Sequence, residues 1–427
     1  MTYRLATFSS DITPPIGSPL ACDLPAVKSI DDPQSALGLV LLGAGDPIVL
    51  VVLDWCQLYN DGYDPWLAAL AAAAGTSPQR VLVSTVHQHD APLVDYHAQH
   101  LAQRHGLGDV CDIAAVEQAL ARTAAALKAA LPDARPVTHV GIGQARVDQV
   151  ASNRRILGPD GKVAIVRWSA SKDPAARDAP EGLIDPFLKA ITFFDDDRPV
   201  ATVNHYTTHP MSHYGKGAVS ADFCGLARAR RQKDDPDCFQ MFANGCAGNI
   251  TAGKYNDGEP RTRSVLTERV YCGMVEAAAA TVRHPLDDVD FKQVSLALPV
   301  RNEPGFTVED LTRDLSDPQA ERFRAAAGLS YRHRTNSGHR IALSAVKIGP
   351  ADIVHLPGEP FIEFQLAAQQ FRPDRFVMAV AYGEGGPGYI CTDAAYQQGG
   401  YEPSRWCFTA VGSEPAMLSA IESVLSD

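Results

Sequence analysis

The 427-residue chain contains no apolar run approaching the ~20 residues that a membrane-spanning helix requires. Its opening residues, Met-Thr-Tyr-Arg-Leu-Ala-Thr-Phe, show no apolar stretch followed by a small-residue cleavage site, so no secretion signal is read there. Excess positive charge is absent as well. The formal net charge is −12, which argues against nucleic acid and against anionic membrane surfaces as partners. The one basic cluster, Arg228–Lys233, reads as the solvated face of a helix. The nine cysteines are odd in number and have no Cys-x-x-Cys spacing, so neither a disulfide framework nor a thiolate zinc site is indicated. These absences lead to the expectation of a reduced, cytoplasmic protein with a small-molecule partner; a homo-oligomer stays open. Repeats and flexible linkers are also missing, which favours one large α/β domain over residues 1–427.

What is present is ordinary in amount, with 45% apolar and 21% charged residues. Strands are expected at 3–8, at Leu37–Leu42 and Pro47–Leu53 as a hairpin, and at Val81–Val83. Further strands are read at Val137–Val147, Lys162–Trp168, Leu188–Asp195, Val200–Tyr206, Cys238–Ala243, Ile341–Gly349, Asp352–Leu356 and Phe376–Tyr382. Helices are expected at Pro65–Ala74, Ala114–Leu131, Asp222–Gln232, Arg263–Val282, Phe361–Phe371 and Pro415–Leu425. Ser169–Glu181 reads as an exposed loop. Glu303–Arg340 is polar, with helical character only around Val308–Ala327, and is taken as a long excursion that can act as a lid.

Chemistry gathers at strand ends. His87 and His89, two residues apart after an apolar run, project from one face of an extended chain. That geometry suits a metal, or a metal ligand beside a general base; a pair of surface histidines is the plainer alternative. Asp54 ends the preceding strand and is either a carboxylate that orients a histidine or a helix cap. In Asn204–Pro210, Pro210 restricts His209 to extended backbone, so His205 and His209 are expected on one face, with His213 a bystander. Arg154 is a candidate for holding a carbonyl or carboxylate. Glu359 stands at a strand-to-helix junction, where a metal-binding role competes with a second-rate helix cap. Tyr389 and Tyr401 lie among glycines, which leaves each phenol as the prominent group; plain ring packing is equally open.

Taken in order, Asp11-Ile12-Thr13-Pro14-Pro15, Ser84–Pro92, Asn153-Arg154, Asn204–Pro210, Ser220-Ala221-Asp222, Asn244–Thr251, Pro357-Gly358-Glu359 and Tyr389 through Tyr401 resemble the catalytic domain of the neutral, non-lysosomal ceramidase family, which are zinc-dependent amidases. The likeness runs over nearly the whole chain, and the two tyrosines stand twelve apart as in that family. It implies an α/β fold of mixed β-sheets flanked by helices, like that family's N-terminal domain. It also implies zinc held by His87, His209, Glu359 and Tyr389, with His89, Arg154 and Tyr401 around the scissile carbonyl. Asp11, Thr13, Asn153 and Asn249 are carried over as substrate-binding positions. The departures bear on substrate. The family's immunoglobulin-like C-terminal domain and secretion signal have no counterpart, and its glycine-aspartate-x-serine-proline stretch reads Gly248-Asn249-Ile250-Thr251-Ala252 here. The expectation is therefore an amidase for a smaller or more polar amide than ceramide. An ester, lactone or sugar-linked bond at the same metal site is the alternative, and a non-catalytic binding protein is the third reading.

Overall fold

Uninterrupted apolar runs build the centre of the molecule, whose computed structural model describes residues 3–21, 24–317 and 319–426. In Ile48–Leu53, Val49, Val51 and Leu53 join the core under Trp66, Leu70 and Leu127, while Ile48 and Val52 join the larger core on the opposite side. Val81–Thr85 behaves alike, with Val81 and Val83 on one side and Leu82 on the other. Strands covered on both faces are apolar at every position because successive side chains alternate.

Nine strands form the larger sheet, in the order Val289–Leu296, Ile341–Ile348, Ala351–Pro357, Phe376–Gly383, Val81–Thr85, Ile48–Leu53, Ser35–Leu42, Tyr3–Asp11 and Arg135–Val137. A second sheet of five runs Phe239–Asn244, Arg198–Tyr206, Phe187–Asp195, His139–Arg146 and Val282–Pro285. Both sheets mix parallel and antiparallel pairs. They face each other across a shared core, where Leu82, Val203, Met241, Ile353 and Val380 meet. Asp64–Ala74 and Ile113–Ala130 pack on each other against the larger sheet, and Asp222–Asp234 and Pro260–Ala279 pair beside the smaller one. This is the α/β architecture of mixed sheets and flanking helices that the sequence implied. No helix among the described residues is long and apolar enough to cross a membrane.

Several boundaries differ from expectation. Val137–Val147 is two strands, Arg135–Val137 and His139–Arg146, which belong to different sheets. Thr138 hands the chain across, and the strand-like alternation on either side of it carries no sign of that crossing. The helix expected to reach Val282 ends at Ala279, and Val282 opens a strand. Tyr96–Arg104 is a helix that the sequence reading passed over, and a short helix, Pro174–Asp178, interrupts the loop at Ser169–Glu181.

The excursion at Glu303–Arg340 holds two helices, Val308–Ser316 and Arg322–Asn336, which pack on each other. Leu311, Leu315, Phe323 and Tyr331 sit in the main core, so the excursion is packed into the body of the molecule. Its arginines are largely engaged: Arg324 donates to the carbonyls of Arg405 and Gly305, Arg332 to that of Phe306, and Arg334 grips Asp64.

Candidate metal centre

Three strand ends deliver the cluster. His87 follows Val81–Thr85, His209 follows Arg198–Tyr206, and Glu359 follows Ala351–Pro357. His87 occupies left-handed backbone at φ +71°, a conformation that costs a non-glycine residue about 1–3 kcal/mol unless its surroundings impose it. Its Nδ1 lies 2.9 Å from the Cys56 carbonyl oxygen, and that of His209 lies 2.8 Å from the Ile250 carbonyl oxygen. A carbonyl only accepts, so each Nδ1 carries a proton and Nε2 is the nitrogen left to face the site. Both Nε2 atoms turn toward one atom, Glu359 Oε2, at 3.1 Å from His87 and 3.7 Å from His209. The other oxygen, Oε1, accepts from the Tyr59 hydroxyl at 3.2 Å.

The whole cluster is buried. Burial, with the Arg154 charge adding to it, pushes the His209 pKa down to about 4, so its imidazole is neutral near pH 7. His209 Nε2 and Glu359 Oε2 have no hydrogen-bond partner. Lone pairs converging on a carboxylate oxygen in a buried site repel one another unless a cation sits among them. One ligand atom from each of His87, His209 and Glu359 lies within 4.8 Å of the others, a grouping that can hold a metal ion. Cys56, His87 and His89 form a second such grouping, but there the His87 Nδ1 is engaged by the Cys56 carbonyl.

His89 stands beside this set. Its ring meets that of His87 edge-on at 4.9 Å and that of His209 at 6.0 Å. Burial, reinforced by those two imidazoles, holds its pKa well below the usual histidine range. Tyr214 closes on its far side at 5.8 Å. The loop carrying Tyr214 is anchored by Asp90, whose carboxylate accepts from the Gly215 amide.

Arg154 supplies the cation of the site's other half. Its amide donates to the Asn249 carbonyl at 2.7 Å, and its Nη1 donates to the Tyr389 hydroxyl at 2.9 Å. Tyr389 pairs in register with Glu359 across a short parallel bridge, so this phenol and that carboxylate come from facing positions. The Tyr401 ring lies 5.7 Å from the Arg154 guanidinium carbon and 6.0 Å from the Tyr389 ring. Burial pushes the Tyr389 phenol well above its usual range, against the pull of Arg154. Gly399 and Gly400, at φ +71° and +98°, make the turn that brings Tyr401 in.

Other anticipated residues are placed differently. Asn249 accepts from the Ile362 amide and donates to Glu363, while Asn153 donates to the Leu183 carbonyl and accepts from the Arg155 amide. Both therefore shape the backbone that carries Arg154. Asp11 is exposed and accepts from the Thr13 amide. Thr13 lines a separate cavity of about 130 Å³ with Pro14, Pro15, Trp55, Pro92 and Arg122. Asp54 neither orients a histidine nor caps a helix, since it accepts from the Ser35 amide and pairs with Arg228 at 3.3 Å. His205 does not share His209's face, because the chain turns after Tyr206 and His205 Nε2 reaches back to the Ala379 carbonyl at 3.0 Å. His213 lies against the Gly258 carbonyl.

Three residues escaped the sequence reading. Tyr59 fixes Glu359, and Tyr382 stacks on the His87 ring at 4.3 Å. Fully buried Glu402 bonds Arg155 at 2.8 Å and faces Arg154 Nε at 3.8 Å. A buried carboxylate beside two arginines keeps them charged, and its place directly after Tyr401 was the available signal.

No family model and no curated relative matches the sequence. Solved structures do share the fold. The crystal structure of neutral ceramidase from Pseudomonas aeruginosa aligns at TM-score 0.72 and 17% identity, covering 99% of this chain and 74% of that one. A ceramidase complexed with C2 aligns at TM-score 0.70 and 16% identity, covering 99% and 75%.

Proposed function

We propose that the protein is a zinc-dependent hydrolase that cleaves the C–N amide bond of a small or polar N-acyl compound. The observation that carries this reading is the convergence of two imidazole Nε2 atoms on one buried carboxylate oxygen, beside a buried arginine and two phenols. His87, His209 and Glu359 would hold the zinc, with the Tyr389 phenol as a weak fourth ligand. When bound, zinc supplies the Lewis acidity that makes water a nucleophile near neutral pH.

The chain's own residues do the rest. His89, neutral and adjacent to the ligand set, takes the proton from the attacking water and returns it to the leaving amine. Arg154 and the Tyr401 phenol donate to the oxygen on which negative charge develops. Glu402 keeps the Arg154 charge and direction fixed before substrate arrives. The fold shared with ceramidases supports amide hydrolysis. The acidic surface charge and the altered Gly248–Ala252 stretch support a substrate other than a membrane lipid. A reducing compartment is part of the proposal, in keeping with nine cysteines that show no Cys-x-x-Cys spacing.

The test is to purify the protein without chelator, measure zinc, and assay short N-acyl amines and N-acyl amino acids beside matched esters and long-chain ceramide. Zinc-dependent release of acid and amine from the short amides is expected. Absence of zinc, or faster turnover of ceramide or of the esters, overturns the reading.

A further inference from the structure

Of the chain's four tryptophans, Trp55, Trp66 and Trp406 are buried at 2%, 0% and 8% exposure, whereas Trp168 is 51% exposed. Its backbone is nevertheless held tightly. The Trp168 carbonyl lies so close to Gly253 that a β-carbon there would sit 1.8 Å from it, and the preceding Arg167 is locked by bonds to the carbonyls of Ala176, Asn153 and Ala179. A single exposed apolar ring is ordinary on its own; a rigidly mounted one beside a buried polar site is a fixed apolar wall for whatever enters there.

The direction of that surface is set by its neighbours. The Trp168 ring meets the Tyr401 ring edge-on at 5.1 Å, and Tyr401 in turn lies 6.0 Å from the buried Tyr389 ring and 5.7 Å from the Arg154 guanidinium. A continuous aromatic path thus leads from solvent to the donors assigned above to the developing oxyanion. The metal-type cluster is buried, so the part of a substrate that extends outward from its carbonyl has this path beside it.

We infer that Trp168 and Tyr401 form an apolar subsite for the acyl portion of the substrate, with Trp168 as its outer, specificity-determining wall. The inference rests on the amide-hydrolase reading and narrows its substrate class. The acyl group is a short-to-medium alkyl or aryl chain, and polarity, where present, sits on the amine side. Trp168 touches no reacting atom, so its effect falls on binding of the acyl group rather than on the chemical step.

The exposure pattern provides a direct readout, because acrylamide quenching of intrinsic fluorescence reports Trp168 above the three buried tryptophans. With zinc-loaded protein, hexanoate and benzoate are expected to protect Trp168 from quenching, while acetate at equal occupancy is not. Hexanoate should bind about tenfold more tightly than acetate, the order expected when part of a four-carbon extension leaves water. Trp168→Ala should abolish that preference and raise KM for hexanoyl amides about tenfold, with kcat and zinc content unchanged; Trp168→Phe should restore most of it. Equal protection by acetate and hexanoate, or a chain-length preference that survives Trp168→Ala, overturns the subsite. Protection by hexanoate without cleavage of any amide leaves the subsite standing and overturns the hydrolase reading instead.

Discussion

Buried imidazoles occur in two regions of this molecule, and they look alike until their second nitrogen is followed. In the inter-sheet core, His205 Nε2 lies against the Ala379 carbonyl and His355 Nε2 against the Val83 carbonyl. At the strand ends, His87 and His209 use Nδ1 in the same way. Burial pushes His205 and His209 equally, each to about 4. A depressed pKa therefore fails to separate the inter-sheet histidine from the strand-end one here. What separates them is sharing. His355 meets one carboxylate, Glu384, at 3.5 Å, whereas His87 and His209 meet the same oxygen of Glu359. Two imidazoles sharing one anionic atom form a group that can hold a cation, whereas His355 and Glu384 make a single pair.

The sharpest way to break this comparison is to remove the shared atom. Glu359→Ala is expected to lose bound metal and to lower amide hydrolysis by at least about 10³-fold, whereas His355→Gln should keep full metal stoichiometry; elemental analysis beside turnover decides it. Next in size is His89→Ala, expected to cut turnover by roughly 10²–10⁴-fold while zinc remains. Loss of zinc in that variant would move His89 into the ligand set. Tyr401→Phe should cost about 10²-fold in kcat, in the range found when one oxyanion donor is removed, with little change in metal content.

The smallest effect concerns the core. His205 is depressed from 6.5 to about 4, so the folded state binds fewer protons than the unfolded chain between those values. Its contribution to stability is complete above pH 6.5 and is lost as pH falls toward 4. His205→Gln cannot titrate and still has a donor for the Ala379 carbonyl. Denaturant melts from pH 7 to 4 should therefore show the parent losing stability relative to this variant, with no change in metal binding at pH 7.

Part of this arrangement was legible in the sequence because strand ends and chemistry lie close together in the chain. The expected strands end a few residues before His87, His209 and Glu359, and glycines precede Tyr389 and Tyr401. Legibility failed where partners come from far away. Tyr59 reaches Glu359 across 300 positions, and Ser330 bonds buried Asp95 across 235. Spacing carries no trace of either. It failed again at Thr138, where one strand-like stretch passes from the larger sheet to the smaller without a turn signal. The helical hairpin at Val308–Asn336 is legible only in part, as helical character around Val308–Ala327, because the polar composition hides how few apolar residues, Leu311, Leu315, Phe323 and Tyr331, tie it to the core.

The left-handed backbone of His87 has a consequence for anyone evolving this protein in the laboratory. Glycine fits that conformation without strain, yet the His87 ring is buried, stacks on Tyr382 and bonds the Cys56 carbonyl. His87→Gly therefore relieves the backbone only by opening a void whose cost is of the order of a core truncation, about 2–5 kcal/mol. A library screened only for survival after heating should retain His87, and the strained backbone at this position is kept by the packing of its ring as well as by any ion it holds.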